Sequence, residues 1–345
     1  MTNRMRIAAI IVNYRTPQLV LQCLKALAVE RDALPELRAI VIDNGSDDGS
    51  AAVLFRELEK MPLAAWVRFF PLPLNGGFGW GNNQAILHLL QGKDPPEAIY
   101  LVNPDARIEP GALVALVHDM ERRSDAGAVG SQLLHQDGSM AGSAFRFPSV
   151  SREFTRGLAI GAVERMLRIQ PMLIPYGQRE PVDWVTGASV LLRSEALRIA
   201  GLFDTGFFLY FEEVELMHRL RRNGWNVYHS PESRVMHIAG ASTGIINGKQ
   251  DGNRIPPDYF FESRHRYFAL TGGKMRALLA ELAWFLGEGL GRIVWAALPG
   301  RKAQDNRPER QTLCRLGLGG KAELVVPAVA RVTDASGIPP AWMAR

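Results

Sequence analysis

Residues able to carry chemistry recur at one kind of place in this sequence. Asn13-Tyr14, Asp43, Asn75 and the triplet Asn103-Pro104-Asp105 each follow directly on a short apolar run. A single carboxylate such as Asp105 can bind a hard divalent cation, Mg²⁺ or Mn²⁺, that keeps several waters and shares oxygens with substrate phosphates. The same triplet could equally cap a following helix. Further along, Glu212, Glu213 and Glu215 crowd the start of a helical pattern whose later turns carry Arg219, Arg221 and Arg222. That order suits the helix macrodipole without any catalysis, and Glu215 with Arg219 forms an i,i+4 pair. The aromatic residues before them, Phe207, Phe208, Tyr210 and Phe211, can partly dry a carboxylate, which raises its pKa and makes it a stronger base. Glu212 and Glu213 point about 100° apart on a helix, so only one is expected to enter a site. His237, after Val235-Met236, reads on its own as a structural residue, as do His218 and His229.

The elements that must position these residues alternate. Apolar runs at Ile7–Val12, Ala39–Ile42, Trp66–Leu72 and Ala98–Val102 are each followed by a helical pattern. They open at Pro17, run to Leu58 and to Leu90, and open at Pro110. This β-α series predicts a mainly parallel sheet buried on both faces. The polar residues then fall at the carboxyl ends of the strands, where open α/β sheets bind ligands. The glycine loop of the dinucleotide fingerprint is absent after the first strand, where the chain reads Asn13-Tyr-Arg-Thr-Pro17, and no Walker loop occurs. The loop Asn75-Gly-Gly-Phe-Gly-Trp-Gly81 permits close approach of backbone to a ligand, or makes a tight turn. Val129–Leu134 and the end of Asp183–Arg193 predict further strands, residues 145–180 read as irregular, and a helix from Glu212 to Asn223 closes at Gly224.

Composition bounds the rest. The 345 residues are 47% hydrophobic and 22% charged, which excludes wholesale disorder. Cys23 and Cys314 are too few for a disulfide framework or a cysteine-built zinc site, and both are expected as free thiols. A net charge of +5 fits nucleic acid, an anionic membrane or phosphorylated substrates, and selects none. No targeting segment is evident at the start, and Ala277–Leu298 is interrupted by Glu281, Glu288 and Arg292, a poor spanning segment. The chain is therefore expected in the cytoplasm, peripheral at most to the inner face of the cell membrane.

In their order, the motifs resemble glycosyltransferase family 2, inverting enzymes of the GT-A fold, and within it the rhamnosyltransferase-like members. The likeness rests on Ile11-Val-Asn-Tyr14, Val41-Ile-Asp-Asn-Gly-Ser46, Asn75-Gly-Gly-Phe78 with Asn82-Asn83, and Leu101-Val-Asn-Pro-Asp105. It continues in Val182-Asp-Trp-Val-Thr-Gly-Ala188, Phe203-Asp204, Phe208-Leu-Tyr-Phe-Glu-Glu-Val-Glu215 and His237 through Ser242. The resemblance implies an α/β GT-A fold with a mainly parallel central sheet flanked by helices. Residues 1–120 would form its nucleotide-sugar half and 121–245 its acceptor-binding and catalytic half. Residues 246–345 would be a helical extension touching a membrane surface or a second copy. The resemblance further implies that Asp43 reads the base of a nucleoside diphosphate sugar beside the Asn13-Tyr14 backbone. Asn75 and Asn103 would join the donor site. On the same likeness Asp105 would be the metal-binding carboxylate of the D-x-D element, whose first acidic position is Asn103 here, and His237 would be a further ligand for Mg²⁺ or Mn²⁺. Glu213 would take the position of the catalytic base, usually Asp, with Glu212 as the neighbouring candidate.

The implied reaction is a single in-line transfer of a sugar, with rhamnose the candidate, to a hydroxyl of a glycan or lipid-linked glycan in cell-surface polysaccharide synthesis. Two other readings compete: a sugar-nucleotide nucleotidyltransferase and a non-catalytic sugar-nucleotide binder. The first should carry a Gly-rich basic loop after the first strand, which is missing. A nucleic-acid binder has only charge in its favour, since the arginines are scattered and no reading motif occurs. In the tail, Lys274–Leu298 carries Trp284, Phe285, Trp295 and several Leu among charges. It reads either as an interfacial helix or as one packed on the catalytic domain or a second copy.

Overall fold

The computed structural model describes residues 5–60, 65–177, 180–238, 256–297, 306–316 and 325–332. The end of the His237–Ser242 motif and most of the 300–345 tail lie outside the described residues. The first hundred residues follow the expected alternation. They run β1 (Ile7–Asn13), α1 (Pro17–Glu30), β2 (Arg38–Asp43), α2 (Ser50–Lys60), β3 (Val67–Pro71), α3 (Phe78–Leu90) and β4 (Ala98–Val102). Next come β5 (Ala106–Ile108), α4 (Ala112–Arg122), β6 (Ala126–Leu134), β7 (Ala144–Phe145), α5 (Val150–Leu158) and α6 (Gly161–Met166). The chain continues through β8 (Trp184–Val185), β9 (Ser189–Arg193), α7 (Ser194–Ala200), α8 (Glu212–Arg222), β10 (Asn226–His237), α9 (Asp258–Ala296) and α10 (Arg307–Leu316).

Eight strands form one sheet in the order β3-β2-β1-β4-β9-β6-β10-β5. The pairs β3-β2, β2-β1, β1-β4 and β6-β10 are parallel; β9 and β5 run against their neighbours. Alternate side chains of each strand feed two apolar layers. Ile7, Ala9 and Ile11 of β1 pack with Leu24, Leu27, Leu113 and Leu116 of α1 and α4. Ile10 faces the other way, toward the layer that holds Ile86, Leu197 and Leu216 of α3, α7 and α8. The Glu30 carboxylate at the end of α1 accepts hydrogen bonds from the N–H groups of Gly111, Leu113 and Val114 at the start of α4, tying two helices of one face together. Cys23 is buried, Cys314 exposed, and both are free.

Residues 145–180 are not irregular throughout, since α5 and α6 lie within them. Helix α5 packs against α9 almost backbone to backbone. A Cβ on Gly287 would sit 2.0 Å from the Phe154 carbonyl oxygen, and one on Gly291 2.5 Å from that of Leu158. Between the helices, Arg264, 2% exposed, reaches Glu153 at 3.4 Å and Glu309 of α10 at 3.3 Å, while Arg156 bridges the same two carboxylates at 2.8 and 2.7 Å. Residues 325–332 form a strap over the loop before α8. Leu202 N–H donates to Ala330 O, Thr205 N–H to Ala328 O, and Ala328 N–H to Asp204 Oδ2, while Arg266 donates to both Asp204 Oδ1 and Val326 O.

Candidate active site

The strand ends of the first half carry a closed set of hydrogen bonds. Asn13 and Asp43 sit opposite each other in the β1–β2 register. Asn13 Nδ2 donates to Asp43 Oδ1 at 2.6 Å, and Ser46 N–H to Asp43 Oδ2 at 3.1 Å. Asp43 is thereby almost wholly buried, with lone pairs left on both oxygens. Tyr14 lies alongside, half-buried, with the Arg15 guanidinium 5.0 Å from its ring centre. Asn75 Oδ1 accepts from Asn44 Nδ2 at 2.9 Å and from Gly77 N–H at 3.0 Å. The glycine loop then makes a close approach, but to the protein's own backbone. Gly77 has φ +90°, a Cβ there would meet Phe208 O at 2.0 Å, and Phe78 N–H donates to that same oxygen.

Between this loop and the second half lies a cavity of about 810 Å³ lined by Asn103, Thr186, Tyr210, Glu212, Glu213 and His237, among others. The turn at Asn103-Pro104-Asp105 leads into β5, not into a helix cap. Strand β5 pairs antiparallel with the end of β10, setting Ala106 opposite His237. That register brings His237 Nε2 to 3.2 Å from Asp105 Oδ1 and 3.3 Å from Asn103 Nδ2. His218 and His229 stand apart as structural residues. His218 packs edge-on against Phe147, and burial pushes His229 down to about 4, so its ring is neutral.

Both Glu212 and Glu213 line the cavity, although their 100° separation predicted one. They occupy the first turn of α8, and helical side chains lean toward the N-terminus, so both reach the space in front of the helix. The backbone there is unusual: Tyr210 and Phe211 adopt φ +69° and +65°, a conformation bulky residues rarely hold. Burial among the aromatic residues pushes the Glu213 carboxyl up to about 7, against the N–H groups of Glu213, Val214 and Gly187, which favour the anion. Glu212 is driven well above the carboxylate range, first by burial and then by the neighbouring charge of Glu213. Neither Glu212 Oε2 nor Glu213 Oε2 has a hydrogen-bond partner among the described residues. Glu215 faces away and grips Arg219 Nε at 2.7 Å.

The structure thus brings Asn103, Asp105, His237, Glu212 and Glu213 to one place, while Asn13, Asp43 and Asn75 make an adjoining hydrogen-bonded cluster at the ends of β1 to β3. Sequence reasoning missed Asn44, whose side chain links Asn75 to Gly77 O, and His135 and Gln136, which line the cavity just past the end of β6. The rule that exposed the other sites, polar residues after a buried strand, would have found the last two.

Residues 4–252 match the family described as Glycosyltransferase like family 2. The chain is 31% identical over 231 residues to the N-acetylglucosaminyl-diphospho-decaprenol L-rhamnosyltransferase of Mycobacterium tuberculosis, covering 64% of this chain and 71% of that protein. It is 30% identical over 173 residues to rhamnosyltransferase WbbL of Escherichia coli K12, covering 47% and 61%. Among solved structures it resembles in fold the mannosyltransferase PcManGT from Pyrobaculum calidifontis, with TM-score 0.52 and 16% identity over 91% of this chain and 81% of that one. A largely parallel sheet flanked by helices, a cavity at its strand ends and a family match over most of the sequence lead to one conclusion: the chain belongs to glycosyltransferase family 2, with the GT-A fold.

Proposed function

We propose that this glycosyltransferase inverts the anomeric carbon of a nucleoside diphosphate sugar, with rhamnose as the sugar, while transferring it to a hydroxyl of a lipid-linked glycan in cell-surface polysaccharide synthesis. The observation that carries the chemistry is a carboxyl group poised near neutrality, Glu213, in a cavity also lined by His237, the partner of Asp105. The rhamnose and the lipid-linked acceptor are carried by the names of the two relatives. Residues 1–120 act as the donor half, 121–245 as the acceptor and catalytic half.

Asp105, His237 and Asn103 offer one carboxylate, one imidazole and one amide, a mixed oxygen and nitrogen set that fits Mn²⁺ or Mg²⁺ when diphosphate oxygens and water fill the other positions. Among the described residues no group of three or more His, Cys, Asp or Glu could hold a metal, and diphosphate oxygens and water would supply the further ligands. A divalent cation held there supplies positive charge against the departing diphosphate. Glu213 takes the proton of the acceptor hydroxyl as the acceptor oxygen attacks. Glu212, driven upward by burial and by the Glu213 charge, borders the same space. Asp43 accepts the ring N–H of the base, which favours uracil or thymine, and Tyr14 and Asn75 border that pocket. The chemistry needs no second carboxyl acid of the kind a glycosidase uses, because a diphosphate already leaves readily.

The test is product formation from labelled donors carrying thymidine, uridine or guanosine diphosphate on an acceptor bearing a lipid-linked sugar. Transfer from a pyrimidine rhamnose donor, with inversion seen by NMR, is expected. Retention of configuration, or equal use of the guanosine donor, would refute the reading.

A further inference from the structure

Beyond a kink at Gly272–Gly273, from Lys274 to Ala296, helix α9 is turned inside out. Its only two carboxylates, Glu281 and Glu288, lie on the buried face, where His265 Nδ1 approaches Glu281 at 2.8 Å and Arg310 Nη1 donates to Glu288 at 2.7 Å. The outer face is apolar: Met275, Leu279, Leu282, Leu286, Leu290 and Ile293 are all exposed, Ile293 to 68%. Their spacing keeps them on one stripe, and at 1.5 Å per residue the stripe is about 27 Å long. Single exposed apolar residues need no explanation, but a continuous stripe of this size marks a contact surface.

Charge decides what covers it. The ionic groups exposed along this stretch are cations near its two ends, Lys274 and Arg292, and Arg292 reaches Glu288 only at 4.0 Å. A second copy laid antiparallel would set Lys274 against Arg292, and one laid parallel would set each cation against itself. Neither arrangement brings a carboxylate to the seam. An anionic surface satisfies both ends. No described helix is long and apolar enough to cross a membrane, and two buried carboxylates on the opposite side suit a helix lying in the interface plane.

We propose that the outer face of α9 docks on an anionic lipid bilayer, with the stripe in the acyl boundary and Lys274 and Arg292 at the headgroups. This surface stands apart from the catalytic reading, and its test needs no sugar transfer. Full-length protein is floated with vesicles of phosphatidylcholine alone and of phosphatidylcholine mixed with phosphatidylglycerol. The double variant Leu282→Asp/Leu286→Asp changes only exposed side chains, and circular dichroism checks its fold. Wild type is expected to float with the mixed vesicles, less so at high salt, and the variant to partition at least about tenfold more weakly. Lys274→Glu/Arg292→Glu should lose the preference for the anionic vesicles. Equal flotation of wild type and the Asp variant, equal binding to both vesicle types, or a wild-type dimer that the Asp variant converts to monomer would each overturn the proposal.

Discussion

Replacing Glu213 by Gln removes the proposed proton acceptor while keeping side-chain size, and replacing Glu212 by Gln mimics the neutral form that burial favours there. A positioned general base contributes about 10²- to 10⁴-fold, or about 3–5 kcal/mol of barrier. Glu213→Gln should therefore lose at least roughly 10²-fold in kcat with donor affinity near normal, while Glu212→Gln stays within about threefold of wild type. The pH profile gives a second reading. Because burial pushes the Glu213 carboxyl from 4.5 to about 7, the basic form is lost as pH falls, and kcat/KM should drop below pH about 7. Stability carries the opposite sign. A folded pKa above the unfolded value favours the folded state fully below pH 4.5, and that stability is lost as pH rises through about 7. Glu213→Gln should then be more stable than wild type at pH 8, by about 1–3 kcal/mol after discounting for its partial exposure, and equal to it near pH 4.5. Single-turnover kinetics and thermal unfolding across pH measure both. A dead Glu212→Gln beside an active Glu213→Gln, or an acid limb at pH 4 to 5, would show that the neighbour is the base or that the site is wet.

Two further outcomes follow from the same geometry. Asp105→Ala should abolish Mn²⁺-dependent transfer, and Mn²⁺-dependent protection of the protein by nucleoside diphosphate in thermal unfolding, while the apo fold is kept; undiminished turnover would remove Asp105 from the site. Arg266→Met leaves Asp204, which is fully buried, without its 2.7 Å guanidinium partner, and should cost about 2–4 kcal/mol in urea unfolding, with a value under about 0.5 kcal/mol contradicting a structural strap.

How far the sequence could be read depended on where each segment satisfies its polar groups. Strands β1, β2 and β4 are buried on both faces, so continuous apolar runs betray them almost to the residue. Helix α5 gives no such signal, because its buried face includes Glu153 and Thr155. Glu153 is held by Arg156 and Arg264, partners that no periodicity reveals. Strand β10 hides for another reason. Pro231 would normally demote a strand, but the register shifts between Ser230 and Arg234 and absorbs it in an irregularity of the ladder. The site divides along the same line. Asp43 and Asp105 announce themselves at the ends of buried strands, and Asn75 by following the apolar run of the half-exposed β3. The partnership of Asp105 with His237, 132 residues away, depends on the three-residue β5 pairing with β10, and β5 is too short to read. Sequence reasoning on its own therefore took His237 for a structural residue.

The loop before α8 shows how the fold keeps the proposed base, Glu213, dry and in one place. Two consecutive bulky residues with positive φ, Tyr210 and Phe211, cost about 1–2 kcal/mol each, and such a conformation persists only if its surroundings over-determine it. They do, from four directions. Asn83 exchanges hydrogen bonds with both Phe203 N–H and Phe203 O; Phe78 N–H holds Phe208 O; Ser263 of α9 donates to Leu209 O; and the 325–332 strap pins Asp204 and Thr205. Tyr259 and Phe260 of α9 then pack on Phe208, Tyr210 and Phe211, so the rings that desolvate the carboxylates are themselves fixed. Helix α9 thus packs as one unit with the loop before α8: it supplies the hydroxyl and the aromatic faces that keep the Glu212–Glu213 turn in its strained, water-poor position.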